Sequence, residues 1–289
     1  VRTQVADRVQ QAVNEGFHPV VVVSAMGRSG DPYATDTLIS LAQNVFAETP
    51  AREMDLLISC GETISTVILS NTLRTRGLAS VALTGGQAGI ITDEDFGNAR
   101  ILRIDPEPLL RQLGEGVIPV VAGFQGVTER GDVTTLGRGG SDTTAAAVGG
   151  ALKAEVVEIY TDVDGVKTAD PRIVPEARTL QVMTYDEIVQ MAHQGAKVVH
   201  PRAVEIAMQC SVPLRVKCTF DQSPGTLVTY TFEAAGTSWT ELRNGRFVTG
   251  VTQLAGLAQV TVSTADNGDT DLKVFRCMAD AGISVDLIN

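Results

Sequence analysis

Apolar positions along this chain follow a helical period and a strand period by turns. Near the start, Val5, Val9, Ala12 and Val13 share one helical face and Gly16 ends the run, which predicts an amphipathic helix. The segment PVVVVSAMG (19–27) is almost continuously apolar, as a strand covered on both faces of a parallel sheet must be. Helical patterns then fall over 35–47 and 61–75, with a strand over 80–84 and a second apolar strand over VIPVVAGF (117–124). A helix of small residues over 141–152 is followed by a strand over EVVEIYT (155–161). Helices over 184–194 and 201–210 lead into a strand at VPLRVK (212–217). Strands alternating with helices predict an α/β fold with a doubly wound, mostly parallel sheet, and ligands at the carboxyl ends of its strands.

Two stretches break the alternation. Residues 126–135 (GVTERGDVTT) read as a β-hairpin turning at Arg130-Gly131-Asp132. Residues 231–246 are polar and weakly periodic, so a domain boundary is expected there. The chain thus divides into a first domain over 1–232, a linker over 233–246 and a partial second domain over 247–289. In the last part, strands over 247–254 and 257–263, a turn at Asn267-Gly268, a helix over 270–281 and a strand over 283–288 make a βαβ unit. Its helix is amphipathic, with Leu272, Val274, Phe275, Met278 and Ala279 toward a core. Neither tandem repeats nor long heptads are present.

Composition narrows the function. A length of 289 residues suits one large α/β domain plus part of another. The net charge of −11 argues against a nucleic-acid partner, which needs clustered Lys and Arg. Any anionic ligand must therefore meet cations gathered locally. No apolar run approaches the roughly 18 residues of a membrane span, and no charged-then-apolar leader opens the chain. Cys60, Cys210, Cys218 and Cys277 lack CxxC spacing and sit among apolar neighbours, so they read as buried, reduced thiols of a cytoplasmic protein. The three histidines have no ligand spacing, and no metal site is expected.

Four segments carry candidate chemistry. In LGRGGSDTTAAAVGGAL (136–152), Gly137, Gly139 and Gly140 let backbone approach a ligand, and Ser141 is a good N-cap for the helix that follows. That helix start favours an anion, and Arg138 offers a planar fork to a carboxylate or phosphate. A tight strand-to-helix turn with a solvated Arg explains the pattern about equally well, and no Walker lysine follows. In YTDVDGVKTADPR (160–172), Thr161, Asp162, Asp164, Lys167 and Arg172 follow a buried strand and suit phosphates with Mg²⁺, or form an ordinary solvated loop. In SCGETIS (59–65), Glu62 falls in the first turn of an apolar helix, where it either complements the dipole or meets a substrate ammonium. In QGAKVVHPRAVEIAM (194–208), Lys197 is a candidate phosphate contact, while His200 before a proline caps or packs.

In this order, with VVVVSAMG, ATDTL and AGFQGVTERGDVTT, these segments resemble the aspartate kinases of the amino-acid kinase family over about residues 3–230. Residues 247–289 resemble the start of an ACT domain, the family's α+β effector-binding module. GRSGDPYATDTL (27–38) and AGISVDLIN (281–289) look most like the diaminopimelate-sensitive type of spore-forming Gram-positive bacteria. The resemblance implies transfer of the γ-phosphoryl of ATP, with Mg²⁺, to the β-carboxylate of L-aspartate. The product, 4-phospho-L-aspartate, opens the lysine, diaminopimelate, threonine and methionine pathway. Arg138 would hold the aspartate α-carboxylate and Glu62 its ammonium, while Ser24, Thr35, Gly139, Gly140 and Ser141 line the same cleft. Ser141, Thr161, Asp162, Lys197 and the run Lys167, Thr168, Ala169, Asp170, Pro171, Arg172 would contact the nucleotide, and Asp142 would organise the transfer. Asp269, Asp286 and Asn289 are the implied contacts of an amino-acid effector (diaminopimelate, lysine or threonine), in a homo-oligomer joined through the ACT region; a role confined to capping the helix and covering the outer sheet face explains these polar residues about equally well.

The family opens with a Lys-Phe-Gly-Gly strand that has no counterpart here. The expectation is therefore a fragment, weak or inactive alone, without that lysine and most of the ACT region. Kinases acting on glutamate, acetylglutamate, carbamate or a nucleotide are the enzymatic rivals, and a regulatory subunit is the non-enzymatic one. The Glu62 and Arg138 pair disfavours the former, and a complete nucleotide loop the latter.

Overall fold

A computed structural model describes residues 1–195, 198–230, 248–253 and 270–281. The first half runs α1 (Arg2–Asn14), β1 (Val21–Val23), α2 (Thr35–Val45), α3 (Ala51–Arg74), β2 (Ser80–Leu83), β3 (Ile90–Thr92), β4 (Ile101–Ile104) and α4 (Glu107–Gly114). It continues with β5 (Ile118–Ala122), the hairpin β6 (Gln125–Val127) and β7 (Val133–Thr135), then α5 (Gly140–Leu152). The second half has β8 (Val157–Thr161), β9 (Val182–Thr184), α6 (Tyr185–His193), α7 (Pro201–Cys210), β10 (Leu214–Cys218) and β11 (Thr226–Thr229). A last helix, α8 (Thr270–Asp280), lies in the second of two compact units, Val1–Gln253 and Leu254–Asn289.

The two apolar runs, β1 and β5, pair in parallel with Val23 opposite Ala122, and β2 lies on the other side of β5. Alternate residues of these strands serve opposite faces, as the pleat requires. Val21, Val23, Ile118 and Val120 pack with Ala6 and Val9 of α1 and with Leu69 and Leu73 of α3. Val22 and Val121 pack instead with Ile90, with Leu109 of α4 and with Val148 of α5. Apolar cover on both faces explains the missing alternation in the sequence. The second half has its own core, where Val157, Leu214 and Val216 of the sheet meet Val204 and Ala207 of α7.

Parallel pairing holds for β2–β5–β1 and for β8–β10, but hydrogen bonding divides the strands into three sheets. The hairpin β6–β7 joins β3 and β4, while β11 runs antiparallel to β10 and parallel to β9. Strands β3, β4, β9 and β11 are three or four residues long, too short to display a period that the sequence could reveal.

Other elements differ from expectation. Helix α3 begins at Ala51 rather than near 61, so Glu62 lies in mid-helix and not in a first turn. By length and apolarity α3 could cross a membrane, yet half of its most apolar stretch is buried inside the protein, against α1, α2 and the central strands. Residues 248–253 form no strand; instead the Val251 N–H donates to the Thr168 carbonyl (2.9 Å) and the Thr249 hydroxyl to the Glu187 carboxylate (2.6 Å). Of the α8 positions expected to face a core, Val274 and Met278 are half-buried while Leu272, Phe275 and Ala279 are exposed. The expected strands over 257–263 and 283–288, the Asn267-Gly268 turn and the 233–246 linker lie outside the described residues. Of the four thiols, all free, Cys218 is buried, whereas Cys60, Cys210 and Cys277 are exposed because their positions fall on outer helix faces.

Candidate active site

The carboxyl ends of β1 and β5 lie side by side, and the Gly123 N–H donates to the Val23 carbonyl (2.9 Å). Ser24 and Ala25 continue from β1 toward Glu62. Gly61 allows this approach: a Cβ there would lie 2.9 Å from the Ala25 Cβ and 3.0 Å from the Tyr33 carbonyl oxygen. Glu62 is only 3% exposed. Its Oε1 accepts the Ala25 N–H (3.0 Å), while Oε2 is buried without a partner among the described residues. Burial pushes this carboxyl up to about 7, with the Ala25 N–H opposing the rise. Thr35 is half-buried at the start of α2, and Ser24 is exposed.

The glycine loop meets the same edge from the other side. A Cβ on Gly123 would lie 2.8 Å from the Ser141 Oγ, so the end of β5 sits directly beneath the start of α5. Phe124 takes a left-handed φ of 67°, uncommon for an aromatic residue; its N–H donates to the Thr144 hydroxyl (3.1 Å) and its carbonyl accepts the Leu136 N–H (2.8 Å). Gly137 and Gly139 are also left-handed, at 72° and 69°. Gly139 itself is the N-cap of α5; Ser141 is not the cap, because the helix already starts at Gly140 and no side chain caps it. In that first turn the Gly140 N–H donates to the Gly137 carbonyl (3.1 Å) and the Thr143 N–H to the Gly139 carbonyl (3.0 Å), which leaves the Ser141 and Asp142 N–H groups without a partner among the described residues, as in helix-start anion sites. Arg138 is exposed and has no partner among the described residues.

Helix α7 closes on this loop. His200, its N-cap, lays its ring on Gly139, where a Cβ would come within 2.1 Å of the His200 Cγ. That agrees with a packing histidine; its ring Nδ1 is buried without a partner among the described residues, and its backbone N–H donates to the Asp142 Oδ2 (3.4 Å). Burial raises the Asp142 carboxyl, partly offset by His200. Two residues here escape a sequence reading or gain no role from it. Asp55 is 1% exposed on α3 and holds the Gly97 and Thr135 backbones, and Arg202 holds the Leu136 and Ala99 carbonyls. A readable signal for Asp55 exists, because Asp55, Ser59, Glu62 and Thr66 recur at helical spacing and make one polar buried face.

On the other half, Thr161 ends β8, its hydroxyl 3.2 Å from the exposed Asp162. The Lys167 Nζ lies 2.9 Å from Asp164 and 3.0 Å from the Thr179 hydroxyl, which itself donates to Asp164 (2.7 Å). These bonds hold the Asp164 carboxyl below its ordinary value, Lys167 contributing most. Gly165 is left-handed at 134°, and a Cβ would meet the Thr226 hydroxyl at 2.6 Å, so the loop is pinned against β11. Arg172, although 88% exposed, pairs with Asp170 (2.6 Å), which also accepts the Arg172 N–H (2.9 Å). Thr168 and Ala169 lie between these two ion pairs, and Pro171 within the second. Lys197, Asp269, Asp286 and Asn289 lie outside the described residues. Among the described residues no three His, Cys, Asp or Glu side chains converge as a metal site.

A family model described as the amino acid kinase family matches residues 2–218. Aspartokinase 1 of Bacillus subtilis is 50% identical over 283 residues, covering 97% of this chain and 69% of that enzyme. The aspartate kinase of Synechocystis superposes with a TM-score of 0.69 at 45% identity, over 80% of this chain and 37% of that one. E. coli aspartokinase III, solved with aspartate and ADP in an R-state, gives a TM-score of 0.65 at 31% identity, over 88% of this chain and 56% of that one. The same enzyme with lysine and aspartate, in a T-state, gives 0.69 at 26% identity, over 98% and 73%. By the extent of the family match and of the identity to these relatives, the chain belongs to the amino acid kinase family and, within it, to the aspartokinases.

Proposed function

We propose that the protein to which this chain belongs transfers the γ-phosphoryl of ATP to the β-carboxylate of L-aspartate, giving 4-phospho-L-aspartate and ADP. The observation that carries this reading is Glu62, a buried carboxylate on α3 whose second oxygen has no partner among the described residues, at the same sheet edge as the Arg138 guanidinium, which has none among them either. A free amino acid presents one ammonium and one α-carboxylate, and these two side chains supply the complement. The ammonium fills the vacant Glu62 oxygen and removes the cost of leaving it unpaired. The Arg138 fork takes the α-carboxylate in two parallel bonds. That leaves the side-chain carboxylate, already ionised near neutral pH, as the nucleophile, so no general base is required. Positioning and charge screening must then supply the rate. The start of α5, with Ser141 and Asp142, is where the transferring phosphoryl meets backbone N–H groups.

The nucleotide is assigned to Thr161, Asp162, Lys167 to Arg172 and Lys197. Lys167 and Arg172 are held by Asp164 and Asp170, so their cationic ends are preset in position rather than free to wander. Magnesium bound to the ATP phosphates screens their charge and needs from the protein one or two carboxylates, for which the exposed Asp162 is suitably placed at the end of β8. The R-state complex of the E. coli relative, with aspartate and ADP, supports both substrates. Its T-state complex with lysine supports an amino-acid effector, which we assign to an ACT domain beginning near residue 247, with Asp269, Asp286 and Asn289 as contacts and homo-oligomers formed through it. The test uses full-length protein with aspartate, ATP and Mg²⁺, trapping the acyl phosphate with hydroxylamine. A hydroxamate formed from aspartate and not from glutamate is expected; equal turnover of glutamate would overturn the assignment.

A further inference from the structure

We infer that Asp55 and Arg202 form a two-sided polar clamp that positions the glycine loop, and through it Arg138, for the substrate; this deepens the reading of Arg138 given above and rests on it. Asp55, on α3, is 1% exposed. One of its oxygens accepts the backbone N–H groups of Gly97 (2.9 Å) and Thr135 (2.8 Å), and the other accepts the Thr135 hydroxyl (2.7 Å). Arg202, on α7, donates from its two terminal nitrogens to the carbonyls of Ala99 and Leu136, both at 2.9 Å. Between carboxylate and guanidinium, the Ala99 N–H donates to the Thr135 carbonyl (2.8 Å). Donors of the two segments, 97–99 and 135–136, thus meet a buried anion, and their acceptors meet a cation. A planar fork presents two nitrogens at fixed spacing to two separate carbonyls, whereas an ammonium gathers its three donors on one atom at the end of a flexible stem.

Firm anchoring of these segments matters because the glycine loop beyond them cannot hold its own shape. Leu136 leads into Gly137 and Gly139, both left-handed, and a glycine backbone of that kind has many alternatives open to it. Arg138 lies between them, exposed and without a partner among the described residues, so its own contacts do not fix its position. The loop is fixed instead at its ends. At the far end the His200 ring lies on Gly139, and at the near end Gly137 is pressed against segment 97–99, where a Cβ would come 2.9 Å from the Asn98 Oδ1. His200 and Arg202 both belong to the start of α7, so one helix end grips the loop from two sides while Asp55 anchors it to the helix that carries Glu62. The clamp thereby fixes the spacing between the carboxylate and the guanidinium proposed to read the amino acid.

Asp55 and Arg202 are positioning residues, and the test must separate that role from simple stabilisation. Full-length protein carrying D55N, R202K, T135V or R138K is assayed for KM of aspartate and of ATP, with melting followed in parallel. Misplacement of a binding group by about an ångström can cost about a hundredfold, so D55N and R202K should lower kcat/KM for aspartate by about tenfold to a hundredfold and leave the ATP KM nearly unchanged. T135V removes a single hydroxyl donor and should fold even if D55N does not; its loss should be about fivefold. The double variant D55N/R138K should be scarcely worse for aspartate than R138K alone, because Asp55 acts through Arg138. Parallel rises in both KM values, additive losses in the double variant, or unchanged aspartate KM in D55N, R202K and T135V would each overturn the clamp. If R138K itself leaves the aspartate KM unchanged, the assignment of Arg138 fails and the clamp with it; if R138K raises it and the clamp variants do not, the clamp alone fails.

Discussion

Replacing Glu62 by Gln separates what this side chain does for binding from what it costs the fold. Glutamine keeps the shape and an acceptor for the Ala25 N–H but carries no charge. The ordinary carboxyl value of 4.5 is raised to about 7 by burial. Each pH unit of that gap is worth about 1.4 kcal/mol, so it amounts to about 3 kcal/mol. The sign follows from which state binds the proton more tightly. Below 4.5 the group is neutral whether folded or unfolded; between 4.5 and about 7 the unfolded chain ionises while the folded one keeps its proton, and stability falls as pH rises. Above about 7 the loss is complete. Chemical denaturation of unliganded full-length protein should therefore show E62Q gaining on wild type by about 2–3 kcal/mol from pH 5 to pH 8, whatever the fixed cost of its extra amide. Aspartate binding should move oppositely: only the carboxylate form pairs with an ammonium, so the wild-type aspartate KM should rise as pH falls below about 7. In E62Q the KM should be high at every pH, by about a hundredfold above pH 7, and the pH dependence lost. A stability difference between variant and wild type that does not change with pH would refute the argument that Glu62 is a desolvated carboxylate. An aspartate KM unaltered by E62Q would remove Glu62 from the substrate.

Other outcomes rest on the same geometry. Gly139→Ala, at a φ of 69° and with its Cβ 2.1 Å from the His200 ring, should cost about 1–3 kcal/mol in denaturation and depress aspartate turnover. Gly61→Ala, whose Cβ would meet Ala25 at 2.9 Å, should raise the aspartate KM with little effect on ATP, because it displaces the N–H that holds Glu62. Lys167→Ala should raise the ATP KM about tenfold at unchanged aspartate KM, as befits one lost charge contact to phosphate. Asn289→Ala should weaken inhibition by diaminopimelate, lysine or threonine in the full-length protein while leaving uninhibited turnover near wild type; unchanged inhibition would take Asn289 out of the effector site.

What the sequence disclosed and what it hid have a common physical cause. Strands β1 and β5 were legible because apolar cover on both faces leaves a run that little else in a globular chain resembles. The start of α5 was legible because glycines packed against Ser141, Phe124 and His200 tolerate no Cβ, and that demand is written in residue type. The front of α3 was not legible, since its inner face inverts the usual rule. Asp55, Ser59, Glu62 and Ser65 are buried, while Leu56 and Val67 are about half exposed, so hydrophobic periodicity points the helix the wrong way round. A helix of this kind is tolerated only where its polar groups find partners. Both Asp55 oxygens accept hydrogen bonds, whereas one Glu62 oxygen has no partner among the described residues, and burial raises that carboxyl to about 7. The two carboxylates stand two helical turns apart on one face, one satisfied by the protein and the other the group proposed to meet the substrate ammonium. Periodicity cannot tell them apart, because the difference lies in segments 97–99 and 135, distant in the chain and joined to α3 only by the fold.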